Sequence, residues 1–309
     1  AEGPSNLYGH HSGINSTVMA LGHATDAENR VAVYASGSVT QTTSLIAYSL
    51  TLRGAGQFDL GVGGRITVLS AGTADQPVGS LRFYESFSDG LQVGSADLGG
   101  VYASGTVRIE TNRGNLTLAQ GISTTSSQTD AVVLNAGKSG TAGQNDSTGN
   151  IVVLPAASVT VGAGGRATLY TGSLTGSTGL TDLVGWGSGR FRYASDEVTT
   201  NFLTPLSTGL YAIYRVQPSI YFSVVGESLG YGNEPVLRVR SFDLSNGDTH
   251  AQAISKLPTV TLMDGSSAAV RNATGFYNVR VVNAAVANYG VQMSTDGVSG
   301  LGYWVTYNN

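Results

Sequence analysis

The sequence predicts an all-β protein, a right-handed parallel β-helix followed by a small antiparallel β domain that is sandwich- or grasp-like. Three observations carry this expectation. Short runs of Val, Ile and Leu recur between about residues 31 and 170, each closed by Gly and a polar stretch. Charged residues are only 12% of the chain, while Gly occurs 43 times in 309 residues, about twice ordinary usage. Beyond Pro218 the texture changes to strict alternation with more Tyr.

The first part is built from units such as "SLTLRGAG", "GRITVLSAG", "GTVRIETNRG", "GNLTLAQG", "AVVLNAG", "GNIVVLPAASVTVGAGG" and "RATLYTGS". Two strands and a turn return roughly every 15 to 25 residues, with variable loops such as "KSGTAGQNDSTGN" between them. One such unit cannot bury its apolar face, but stacked copies share a continuous core. Gly supplies the positive φ that tight corners need, and Ser and Thr keep outer faces soluble without charge. A large β-sandwich is the competing architecture, since regular strand spacing reads similarly there. Gly clusters and continuous apolar triplets outnumber hairpin signals, which favours the β-helix.

After Pro218, "SIYFSVVGESLGYGNEPVLRVRSFDLSNGDT" holds two alternating strands, and "GFYNVRVVNA", "NYGVQMS" and "GYWVTYNN" add three more. In "VLRVRSF" the period of two sets Val236, Arg238 and Arg240 on one face and Leu237, Val239 and Ser241 on the other. The expected division is therefore 1–217 for the β-helix, its C-terminal cap at about 186–217, and 218–309 for the small domain. Pro218 holds Gln217 extended, which suits a joint.

Several function classes are set aside by composition. The chain has no Cys, which removes disulfides, thiolate metal sites and a Cys nucleophile. Its basic residues are scattered and nearly all Arg, so nothing marks a nucleic-acid or anionic-membrane surface. No run is long and apolar enough to cross a bilayer as a helix. The opening "AEGPSNLYGHHSG" has neither an initiator Met nor a signal-peptide core, and reads as a fragment or mature piece of a longer chain.

Chemistry is sparse. A glycan-cleaving β-helix needs grouped carboxylates, yet between Thr111 and Thr181 only Asp130 and Asp146 occur, both in polar loops, and Asp59, Asp89 and Asp97 stand apart. His10 and His11 are adjacent, which points them to opposite sides of an extended chain, and His23 and His250 are isolated. The loop Asn145–Ser147 reads as a solvated turn, and "VGAGGRA" as a β-turn, because no helix and no "GK[ST]" follow it. No catalytic residue, metal or cofactor is expected, and the protein is read as a non-enzyme.

The densest cluster of Arg, Tyr and Phe lies in "WGSGRFRYASDEVTTNFLTPLSTGLYAIYRVQP". Arg190, Phe191, Arg192, Tyr193, Phe202, Tyr211, Tyr214 and Arg215 are expected to cap the open end of the helix, whose core and strand edges would otherwise be bare. The functional alternative is a sugar-binding shelf, with Trp186 or Tyr193 stacking on a pyranose and Arg190 or Arg192 bonding to its hydroxyls.

The residues "VGAGGRATLYTGS", "GSGRFRYASDE" and "GLYAIYRVQP" resemble the end of the β-helical shaft in filamentous-haemagglutinin-type adhesins. "ESLGYGNEPVLRVRSFDLSNGDT", with its Tyr231–Gly232 and Asn246–Gly247–Asp248 turns, resembles the first half of an MBG-type domain, and "GFYNVRVVNAAVANYGVQM" its closing strands. The resemblance covers about Gly149 to the end. It implies a secreted or bacterial cell-surface protein exported by two-partner secretion through an outer-membrane transporter. It also implies a rigid stalk serving cell adhesion, aggregation or biofilm attachment, with surface glycans or matrix polysaccharide as the binding partners. A carbohydrate-binding or polysaccharide-degrading β-helix is the alternative.

Overall fold

The computed structural model describes residues 29–143, 149–185, 188, 190–202 and 205–216 in full, and the backbone of seven strands between 220 and 307. The strands of the first part are β1 (Arg30–Tyr34), β2 (Ser38–Thr40), β3 (Leu45–Arg53), β4 (Gln57–Ala71), β5 (Ser80–Glu85) and β6 (Leu91–Val93). Next come β7 (Val101–Ala103), β8 (Val107–Thr111), β9 (Leu116–Leu118), β10 (Ile122–Thr124) and β11 (Val132–Asn135). The last are β12 (Ile151–Val153), β13 (Val159–Thr160), β14 (Arg166–Thr171), β15 (Phe191–Arg192) and β16 (Gly209–Tyr214), with one short helix, α1 (Leu180–Val184), between β14 and β15.

All sixteen strands belong to one sheet, and every strand pairing in it is parallel. A sandwich would pair its strands antiparallel. The chain visits three ladders in turn. The first runs β2-β4-β5-β8-β11-β14-β16-β15, the second β1-β3-β4-β6-β9-β12, and the third β4-β7-β10-β13. The long strand β4 joins all three. The result is an all-β fold with a large, curled parallel sheet, compatible with a β-helix.

Stacking in register explains why short apolar runs suffice. On the first ladder the inward residues form the row Val39–Phe58–Leu81–Val107–Val132–Ala167–Leu210, and beside it Leu60–Phe83–Ile109–Leu134–Leu169–Ala212–Phe191. On the second, Val31, Leu50, Leu69, Val93, Leu118 and Val153 are stacked. A fourth row reads Val33–Leu52–Ala71–Val101–Ile122–Val159. Most of these side chains are fully buried in one core. Each strand's inward residues lie about 4.8 Å above those of the strand below, so three residues per strand close the core from rung to rung.

The step between paired residues lengthens along the chain, from Leu50 to Leu69, then Val107 to Val132, Val132 to Ala167 and Ala167 to Leu210. The later steps carry the long polar stretch after β11, the helix α1 and the residues between β15 and β16. The expected spacing of 15 to 25 residues thus describes only the earlier steps, and between successive strands of the first ladder the chain visits the other two ladders where the sequence reads two strands.

The later strands are β17 (Ile220–Val224), β18 (Val236–Ser241), β19 (Thr259–Leu262), β20 (Ser267–Arg271), β21 (Tyr277–Val281), β22 (Ala287–Thr295) and β23 (Val298–Tyr307). They pair antiparallel in the orders β17-β18-β21-β20 and β19-β22-β23. The Pro218 boundary, the Tyr231–Gly232 and Asn246–Asp248 turns, His10, His11, His23, His250 and Asp146 lie outside the described residues.

Candidate functional site

The first site to build is the aromatic joint. After β14 the chain turns through α1, whose Leu180 and Val184 are buried and which packs against β12 and β16. Among the described residues the second ladder ends at β12, and α1 packs against that end. The chain then forms β15, leaves for the segment 193–208, and returns as β16, which inserts between β14 and β15. The outermost strand of the first ladder is therefore only two residues long and pairs with Ala212 and Ile213 of the six-residue β16.

Inside this end, Ala167 and Ala212 are small, and aromatic rings fill the space. Tyr214 stacks with Tyr193 at 5.6 Å between ring centroids and with Phe191 at 6.4 Å, interplanar angles 20° and 14°. Burial pushes the Tyr214 hydroxyl well above the ordinary phenol range; Tyr193 adds to this and Thr181 of α1 opposes it.

Of the four residues the sequence offers as ligand contacts, Trp186 lies outside the described residues. Arg192 is buried, donates Nη1–H to the Phe191 carbonyl at 2.9 Å, and sits 5.3 Å and 5.4 Å from the ring centres of Phe202 and Tyr211. Tyr193 is 5% exposed, its ring turned into the stack. Arg190 is half-buried over Tyr211 at 5.9 Å, and its guanidinium lies against Gly209. Arg192 and Tyr193 thus present no face on which a sugar could stack. Arg215 is buried too, donating to the carbonyls of Ala136 and Gly149, the latter at 2.9 Å, and to Asn135 Oδ1 at 3.4 Å. Its own carbonyl accepts from Gly143 N–H at 2.8 Å, which ties Gly143 to the end of β16.

The residues just after β15 also reach the outer face. Asp196 accepts from the N–H groups of Val198, Thr199 and Ala142, and although burial pulls its pKa upward, these hydrogen bonds hold it below the ordinary carboxylate range. Glu197 accepts from Arg108 and from Asn135 Nδ2 at 3.0 Å. Arg108 also donates to Glu110 at 2.8 Å, and Lys138 reaches Glu110 at 2.9 Å. Burial would raise Glu110, which is 1% exposed, but the two cations hold it below its usual value. A second buried carboxylate, Glu85, points inward at a corner of the coil. Its Oε1 accepts from Phe87 N–H at 2.9 Å and its Oε2 has no hydrogen-bond partner among the described residues. Burial pushes Glu85 up to about 7.

The second site is a groove of about 400 Å³ on the outer face of the first ladder. One wall is the register row Thr40–Asp59–Arg82–Arg108–Val133. The other carries Ser38, Gln57, Ser80 and Thr106, with Asp130 at its end. Asp59 and Arg82 meet at 3.5 Å, both about half exposed. From β4 to β11 are three ladder steps, which sets the backbones bearing Asp59 and Asp130 about 14 Å apart or more. Paired glycosidase carboxylates stand about 5–10 Å apart, closer than the backbones that carry these two. Among the described residues no three His, Cys, Asp or Glu side chains gather to hold a metal ion.

Sequence reading singles out Asp59 and Asp130 as isolated acids and misses the groove, Glu85 and Glu110. Only the period of two along β4, β5 and β8 signals their faces, and the register that brings those strands together is not written in any one of them.

Fold and sites together describe a parallel-stranded all-β protein with an aromatic, arginine-stitched end and a polar groove along one face. No family model matches the chain, and no curated protein and no solved structure matches it.

Proposed function

We propose that this chain is a rigid structural stalk within a large secreted or surface-displayed bacterial adhesin of the filamentous-haemagglutinin type, acting without catalysis in cell adhesion, aggregation or biofilm attachment. Its fold in this reading is a right-handed parallel β-helix, closed by the 186–217 segment and followed by an MBG-like domain over 218–309. Export runs through an outer-membrane transporter.

One observation carries the reading. The inward row from Val39 to Leu210 is unbroken over seven rungs, so neighbouring coils share one core and bending would have to separate packed side chains. That is a spacer's property. The residue-level resemblance at "VGAGGRATLYTGS" and "GLYAIYRVQP" supplies the adhesin context.

The test is replacement of residues 29–216, in the parent chain, by a flexible Gly/Ser linker of equal length, followed by counts of attached cells. Attachment is expected to fall several-fold, because a flexible chain of that length has an average span far below its contour length. Full attachment with the linker, or release of reducing ends from a polysaccharide by the purified protein, would overturn the reading.

A further inference from the structure

We propose that the groove on the first ladder binds a linear, neutral, polyhydroxylated chain, a polysaccharide of β-linked pyranose units, laid along the stacking direction of the strands. This goes beyond the stalk reading and does not depend on it, since a spacer needs no such site.

The shape comes first. The lining strands β2, β4, β5, β8 and β11 span four ladder steps, so the groove is about 19 Å long. Each step is close to the length of one pyranose ring in an extended chain, so about four rings fit end to end. The walls then repeat at the spacing of the ligand. Ser38, Gln57, Ser80 and Thr106 offer a hydroxyl or amide at successive rungs, and each such group both donates and accepts. Sugar hydroxyls have the same dual character.

Charge narrows the ligand class. The groove holds two carboxylates, Asp59 and Asp130, and two guanidiniums, Arg82 and Arg108. Arg108 is already engaged by Glu110 and Glu197. What remains is Arg82 against Asp59 and Asp130, a balance that repels polyanions such as uronate chains or nucleic acid. The Asp59–Arg82 pair is long, at 3.5 Å, and half exposed, so a ligand hydroxyl can enter between its partners at little cost. Asp59 then accepts from one hydroxyl while Arg82 donates to the next, the bidentate pattern that vicinal diols match.

No aromatic ring lines the groove as a stacking platform; Phe58 is there but only 1% exposed. Binding therefore rests on hydrogen bonds and is expected to be weak, with a dissociation constant of about 0.1–1 mM for a tetrasaccharide and avidity on a long polymer.

The experiment is titration of the isotope-labelled protein with tetrasaccharides of β-1,4-glucose, β-1,4-mannose and β-1,4-xylose, and with tetragalacturonate, read by chemical-shift changes and calorimetry. A double variant, D59A with R82A, removes both partners so that no charge is orphaned, and S80Y fills the groove. T160A on the third ladder is the control. Saturable binding of at least one neutral tetrasaccharide, weakened tenfold or more in both groove variants and unchanged in the control, is the expected result. Absence of saturation by any neutral tetrasaccharide at 10 mM, equal binding by the folded S80Y variant, or binding of tetragalacturonate alone would overturn the proposal.

Discussion

Arg108 and Glu197, 89 residues apart in the chain, meet on the outer face of the first ladder, where Arg108 donates to Glu197 and to Glu110 at once. In a parallel ladder each strand ordinarily touches only its neighbours. Here Glu197, just beyond the terminal strand β15, reaches back past β14 and β11 to β8. Glu197→Gln is therefore expected to loosen the residues just after β15 while leaving the coils intact. Its pair is partly exposed, so the cost in urea unfolding should be about 1 kcal/mol. Glu110→Ala should cost more, about 2–4 kcal/mol, because it leaves Arg108 and Lys138 without their shared buried partner. The acid side distinguishes the two again. Glu110 is held below its usual value, so its contribution is present above the unfolded-state pKa and lost as pH falls through the folded one. Wild-type stability should drop on acidification more steeply than that of Glu110→Gln.

Glu85 carries the opposite sign. Its pKa is raised from 4.5 to about 7 by burial, so the folded state keeps a proton that the unfolded chain releases. Below pH 4.5 both states are protonated and nothing is lost. Between 4.5 and about 7 stability falls, and above that the penalty is complete. Glu85→Gln keeps the acceptor for Phe87 N–H and removes the charge, so it should stabilise by about 1–3 kcal/mol at pH 8 and by nothing at pH 4. Melting curves of the two proteins across that range are the check. Parallel curves at all pH values would mean that Glu85 reaches solvent.

How much of this was legible in the sequence differs by scale. Strands such as β3, β8, β9, β11, β12 and β14 coincide with the quoted apolar runs, because three to six branched residues between glycines have little choice but to bury one face. Their lateral pairing was not legible. The step from Val132 to Ala167 contains the long polar stretch after β11, and the step from Ala167 to Leu210 contains a helix and the residues between β15 and β16, so equal spacing cannot find the register. Everything that depends on register was hidden with it, including the groove walls and the inward placement of Glu85. The sequence offers Arg192 either as part of a cap or as a contact to sugar hydroxyls. Its burial follows from Phe202 and Tyr211 closing over it, two residues brought there by different strands and segments.

Gly209 shows how tightly the end of the stack is assembled. Its φ is 103°, in the region that favours Gly, and a Cβ there would run into the Arg190 guanidinium. Gly209→Ala should both strain the entry to β16 and displace Arg190 from Tyr211. The expected cost is about 1–3 kcal/mol. Gly209→Ala in an Arg190→Ala background separates the two causes. A cost that persists is backbone strain, and one that vanishes is the collision.

The aromatic stack makes the sharpest claim about the end of the fold. Tyr214 lies against both Phe191 and Tyr193, and the helix α1 packs against its strand. If these rings close the core, shortening Tyr214 opens a cavity at a level beyond which, among the described residues, the sheet adds only the short strand β15. Tyr214→Ala should then cost about 3–5 kcal/mol and raise light scattering on mild heating, since the exposed rows invite a second molecule. Tyr214→Phe keeps the ring and removes a deeply buried hydroxyl, so it should be neutral within about 1 kcal/mol. The contrast between the two variants is the test. Equal loss in both would assign the effect to the hydroxyl beside Thr181, and equal tolerance would mean that the end of the stack is closed by α1 without the rings.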